Sequence, residues 1–186
     1  MSNLSRATLE GAPPNELVKA ALDPSKLAAP TRMLLYSDGG TTTLLQALIG
    51  GMVTVRVDEQ SLIRAGELEL DVRAVLCRGQ DSELVLRRRS RLSDAAGVIL
   101  SSNLVVMSSA ALREQGLPTL DVPFGGQLIG AQVPQFREQL THGVADWVTA
   151  DSVAPALFRS YLIHFSHGGL VYVHEHFNPT VVPLAG

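Results

Sequence analysis

The chain has 186 residues, of which 46% are hydrophobic and 18% charged, and a net charge of −3. That balance excludes an intrinsically disordered chain, and the mild acidity excludes the broad basic footprint that nucleic acid requires. A single cysteine, Cys77, excludes an internal disulfide, and the apolar stretches fall short of the roughly 20 residues that cross a bilayer. The N-terminal segment has no apolar signal core, so the expected location is cytoplasmic, with no membrane partner.

Residues 1–30 read as a variable leader punctuated by Pro13, Pro14, Pro24 and Pro30, with room for a short helix over 16–22. Residues 31–186 read as one domain. Ser37-Asp38-Gly39-Gly40 is a turn. A helix follows over Thr41–Ile49, capped by Thr or Asp and stopped by Gly50-Gly51. Strands are predicted over 53–58 and 68–77. In the latter, Leu68, Leu70, Val72, Ala74 and Leu76 alternate with polar residues, the period of a half-buried strand. Residues 78–81 form a hairpin turn, and 83–92 return antiparallel.

Helical stretches are expected between Ser93 and Gly116, the clearer over 104–115. A loop over 117–123 leads into a short helix that opens at Pro123-Phe124-Gly125-Gly126. Residues 133–140 and 144–148 stay unassigned. Strands over 158–165 and Leu170–Phe177 are joined by Ser166-His167-Gly168-Gly169. Two hairpins flanking helices argue an α+β fold with a largely antiparallel sheet.

The last strand carries the most chemical information. Val171, Val173, Glu175 and Phe177 share one face, and Leu170, Tyr172, His174 and His176 the other. Glu175 therefore points inward among apolar residues. A buried carboxylate is costly unless it is paired or changes protonation. It is either a ligand-handling group or half of an ion pair with a buried arginine. In Arg87-Arg88-Arg89-Ser90-Arg91 the side chains alternate faces, so at least one arginine points the way of the sheet's inner face. A guanidinium there suits a carboxylate; the bland alternative is a solvated strand edge. His174 and His176 form an H-x-H pair, but no third ligand has metal-site spacing and their face reads as solvated, so no metal is expected. There is no phosphate loop, dinucleotide loop or serine elbow. Cys77 reads as a small buried hydrophobe.

The segment RSYLIHFSHGGLVYVHEHFNP resembles the C-terminal hairpin of the chorismate pyruvate-lyase family, with Glu175 matching that family's glutamate and His174 standing in place of its threonine. LLYSDGGTTTLLQAL resembles an early helix start, with Thr41 where an apolar residue is usual. AVLCRGQDSELVLRRRSRL resembles the hairpin with a substrate-binding arginine, best matched by Arg89-Ser90. LDVPFGGQLIG resembles a Pro-Leu-Gly helix start, with Phe124 replacing the leucine and Gly125 retained. The resemblance spans roughly residues 34–179.

It implies a chorismate lyase-like fold: a six-stranded, mainly antiparallel sheet with flanking helices and a ligand between sheet and helical flaps. It also implies a carbon–oxygen lyase that converts chorismate to 4-hydroxybenzoate and pyruvate without a cofactor. Arg89 would hold the ring carboxylate, with Arg88 the alternative that simple alternation favours. Glu175 would lie at the ring hydroxyl, Arg159 would be a second cation, and Thr41, Thr42, Phe124 and Gly125 would complete the substrate site. Two rival readings stay open. One is a non-catalytic module binding a small aromatic acid, since effector domains of some transcription regulators resemble this fold; these normally follow a helix-turn-helix domain. The other is a related enzyme acting on a different cyclohexadiene acid. In each case the partner is a small molecule, with the oligomeric state left open.

Overall fold

In the computed structural model, which describes residues 22–38, 40–77, 81–120 and 122–185, six strands form one sheet. In chain order they are β1 (Thr54–Arg64), β2 (Leu84–Ser93), β3 (Ile99–Met107), β4 (Gln135–Val148), β5 (Val153–Phe165) and β6 (Leu170–Phe177). The spatial order is β1-β2-β3-β6-β5-β4, every neighbouring pair antiparallel. This is the α+β fold that the sequence pattern predicts, with the six-stranded antiparallel sheet that the resemblance implies. Strands β4, β5 and β6 form a meander whose last turn uses Gly168 at φ 85°, a conformation that disfavours any side chain. Pairing of β6 with β3 then joins the two halves of the sheet.

Three apolar clusters fix the layers. On one face, α1 (Ala29–Tyr36) and α2 (Thr41–Ile49) bring Leu34 and Leu45 onto Leu92, Leu157 and Phe177. On the same face, α4 (Ser109–Gln115) and α5 (Phe124–Gly130) bring Ala111, Phe124 and Leu128 onto Met107, Ile163 and Val171. On the opposite face, α3 (Leu70–Leu76) packs Val72 and Leu76 against Val85, Val106, Leu162 and Tyr172. Each fully buried leucine or phenylalanine contributes roughly 1.5–3 kcal/mol. The first two clusters share a sheet face, and the seam between them holds the site.

Several local expectations need correction. Residues 68–77 are not a strand: α3 spans Leu70–Leu76, after a tight turn over Ala65–Glu67. Leu68, Val72, Val75 and Leu76 also recur at helical spacing, and they pack in the α3 cluster while Leu70 is exposed. The predicted helix over 104–115 is a strand to Met107 and a helix only from Ser109, where the Ser108 hydroxyl accepts from the Ala111 amide at 3.2 Å. β1 runs to Arg64 rather than 58, and the unassigned stretches at 133–140 and 144–148 belong to one long strand, β4. Helix α2 has the predicted bounds, but its cap is Gly40, with no side-chain hydrogen bond. In the predicted leader, Leu27 and Ala28 are buried, and Leu27 bridges Ala185. The helix predicted over 16–22 falls largely, and the turn over 78–81 mostly, outside the described residues. Cys77 is buried as expected, and that burial pushes its thiol pKa up.

Candidate ligand-binding site

The site grows from one transverse row of the sheet. Across β2, β3, β6 and β5, Ser90 pairs with Asn103, Asn103 with Glu175, and Glu175 with Arg159. Paired residues on neighbouring strands point to the same face. The register therefore lays four polar side chains side by side between the apolar clusters of α1–α2 and α4–α5.

Half of this row is a closed knot. Arg159 Nε donates to Glu175 Oε2 at 2.7 Å, and its Nη2 donates to Thr41 Oγ1 at 2.9 Å. Its Nη1 donates to the carbonyls of Leu34 and Ser37. Thr41 Oγ1 in turn donates to Glu175 Oε1, which also accepts from the Tyr161 hydroxyl at 3.3 Å. Arg159 and Glu175 are both buried. Burial works to discharge the guanidinium, and the Glu175 carboxylate beside it prevails, holding the Arg159 pKa above its usual value. Burial, reinforced by Glu175, raises the Tyr161 phenol, which stays a proton donor. Thr41, the first residue of α2, thus ties that helix to the sheet, while Arg159 ties the end of α1 to the same point.

Above the row lies a cavity of about 280 Å³. Its floor is Ser90, Asn103, Val105, Val173, Glu175 and Tyr161, and its roof is the start of α2 and of α5. Thr41, Thr42, Phe124 and Gly125, all expected in the site, line it together with Thr43 and Gln46. Gly40 allows the roof to close: a Cβ there would meet Ile129 Cδ1 at 3.1 Å. Among the described residues, one arginine lines the cavity, Arg137 of β4. Its guanidinium carbon stands 5.5 Å from the centre of the Tyr161 ring, and Nη2 is 3.8 Å from where a Cβ on Gly125 would sit.

The arginine run sits elsewhere. Arg89, expected to clamp a carboxylate, lies on the opposite face, near Glu59 at 3.7 Å. Arg87 and Arg91 share that face and pair with Glu59 and Asp58. Strict alternation prevails in β2, so Arg88 faces the site side, as do Ser90 and Leu92. Yet Arg88 does not line the cavity. Its guanidinium donates to the carbonyls of Thr119 at 2.7 Å and Val122 at 3.0 Å, holding the loop that leads into α5. Arg159, expected as a second cation for a substrate, spends its donors on the knot.

The histidine face is not solvated: His174 and His176 are buried, His174 stacked on Phe158 and hydrogen-bonded to Ser160 at 2.8 Å. Burial, with His176 beside it, lowers the His174 pKa to about 4, and burial lowers that of His176. No group of three or more His, Cys, Asp or Glu is arranged to hold a metal ion among the described residues. No helix there is long and apolar enough to cross a membrane.

Tyr161, Arg137 and Asn103 are the site residues that sequence reasoning missed. Tyr161 was within reach, because it follows Arg159 by two positions and so shares its face.

No protein-family model and no curated protein matches this chain. Solved structures do. YydK of Bacillus subtilis is 14% identical over 72% of this chain, with a TM-score of 0.55; this chain spans 62% of the YydK chain. The ligand-binding domain of a Bordetella bronchiseptica protein classed with GntR-family transcriptional regulators is 11% identical, TM-score 0.54, over 73% of this chain and 90% of that domain. PhnF of Mycobacterium smegmatis is 12% identical, TM-score 0.58, over 79% of this chain and 67% of PhnF. Its effector domain alone, with a TM-score of 0.57, is covered to 92%. At such identities the likeness establishes the fold, that of the ligand-binding domains of these regulators, which agrees with the chorismate lyase-like architecture expected. The enzyme assignment is corrected. None of these similar structures is described as a lyase, and those described by role are transcriptional regulators or ligand-binding and effector domains, so the expected chorismate chemistry with its products falls with it.

Proposed function

We propose that this chain is a small-molecule-binding domain that holds an organic acid in the cavity between the sheet and helices α2 and α5, without turning it over. The observation that carries this reading is the cavity itself. A space of about 280 Å³ is walled by apolar residues, floored by a polar row and lined by a single arginine, Arg137, among the described residues. An apolar pocket with a few convergent polar groups is a binding site by default. Arg137 places a guanidinium on the cavity wall, which suits the carboxylate of an organic acid. The Tyr161 ring beneath the guanidinium limits its hydration and strengthens its hold on a carboxylate. The regulator fold supports binding without catalysis, and so does the Glu175 carboxylate, committed to three protein donors.

The test is a thermal-shift screen of small monocarboxylic acids alongside their uncharged primary amides. Acids are expected to raise the melting temperature and amides to leave it unchanged, with no product formed on prolonged incubation. Equal shifts from acids and amides would remove the carboxylate reading; chemical conversion of a bound acid would remove the non-catalytic one.

A further inference from the structure

The transverse row is saturated at one end and open at the other. Glu175 and Arg159 are engaged with protein partners. Neither the Ser90 hydroxyl nor the Asn103 amide makes a hydrogen bond with any described residue. Ser90 is only 6% exposed, and Asn103 Oδ1 is buried without a partner. A buried polar atom left unpaired costs roughly 1–3 kcal/mol. The Asn103 carbonyl oxygen is such an atom, and it lies beside the Ser90 hydroxyl across β2 and β3, both residues lining the cavity.

We infer that Ser90 and Asn103 form a specificity pair that receives an uncharged hydroxyl of the ligand. This deepens the reading of the cavity as an acid site and rests on it. The alternatives fail on electrostatics. A ligand ammonium here would need a carboxylate, and the neighbouring Glu175 is already matched by Arg159. A second ligand carboxylate would need a cation, and among the described residues no arginine or lysine of β2 or β3 lines this end of the cavity. A hydroxyl both donates and accepts, as do a serine hydroxyl and a primary amide. No described residue fixes the Asn103 amide, so it can turn either end to the ligand. Val55, Leu92 and Val105 wall this end with apolar surface. The ligand class is therefore a hydroxylated monoacid, its carboxylate on Arg137 and its hydroxyl over β2 and β3.

The experiment is calorimetric titration with matched pairs: cyclohexanecarboxylate against its 3- and 4-hydroxy derivatives, and hexanoate against 5- and 6-hydroxyhexanoate. Wild-type protein is expected to prefer a hydroxy acid at least tenfold in one series. Ser90→Ala and Asn103→Leu should each reduce that preference to threefold or less while still binding the plain acid. Asn103→Leu should also melt no lower than wild type, because it removes an unpaired buried group; a merely structural asparagine would destabilise when replaced. Binding of plain and hydroxy acids with equal affinity would overturn the inference and leave the acid site standing. Absence of binding by every acid would overturn both.

Discussion

Arg159 sits where three elements meet, and its guanidinium explains why a charged residue is kept in the middle of the core. It fastens the Glu175 carboxylate, the Thr41 hydroxyl and the carbonyl end of α1. Removing one partner of such a pair leaves the other charge buried alone, at a cost of about 3–5 kcal/mol. Glu175→Gln is therefore expected to lower stability by that order in urea denaturation; a loss below about 1 kcal/mol would show that the knot is incidental. On the other face the buried histidines make stability depend on pH. The folded-state pKa of His174, about 4, lies below its ordinary value of 6.5, so the unfolded chain binds protons more readily between those values. Stability is full above about pH 6.5 and declines as the pH falls toward 4, by up to about 1.4 kcal/mol per pH unit for this residue. His174→Gln should flatten that slope. A denaturation midpoint indifferent to pH over this range would contradict the assignment.

Among the elements, β2 shows how alternation decides role within a run of like residues. Arg88 clasps the loop before α5, whereas Arg89 faces Glu59 in a partly exposed setting. Arg88→Ala should cost at least about 2 kcal/mol and speed amide exchange in α5, since several charge-assisted bonds are lost. Arg89→Ala should cost less than about 1 kcal/mol and leave acid binding unchanged. The reverse order in hydrogen exchange and denaturation would mean that the strand has slipped by one residue.

The same strand shows what the sequence makes legible. The strands at 84–93 and 170–177 are legible from their apolar runs and flanking turns, and parity along the second gives the inward turn of Glu175, whereas burial of both its faces hides the histidines' place in the core. β3 is hidden because Ser101, Ser102 and Asn103 interrupt its apolar run, and Asn103 is polar there because it lines the cavity. β4 is hidden for a like reason: Arg137 faces the cavity while Phe136 is exposed, an inversion of the ordinary pattern. Local rules fail where the site displaces them. The helix over 70–76 is hidden differently, since its short leucine–valine run satisfies both periods.

At the scale of the whole molecule, one sheet face carries two apolar clusters separated by a polar seam, and the cavity lies on that seam. Filling it joins α2 and α5 through a ligand, so binding should stabilise the fold as a unit. At a hundred times its dissociation constant a ligand adds about 2.7 kcal/mol. For a chain of this length that is a rise of about 5–10 °C in melting temperature. The central claim is that Arg137 receives a ligand carboxylate in this cavity. The most direct measurement is calorimetric titration of wild-type protein and Arg137→Ala with the acid that gives the largest thermal shift. A loss of at least thirtyfold in affinity in the variant, with its melting temperature in the absence of acid within a few degrees of wild type, is the expected result. Unchanged affinity in Arg137→Ala would contradict the account and place the acid elsewhere.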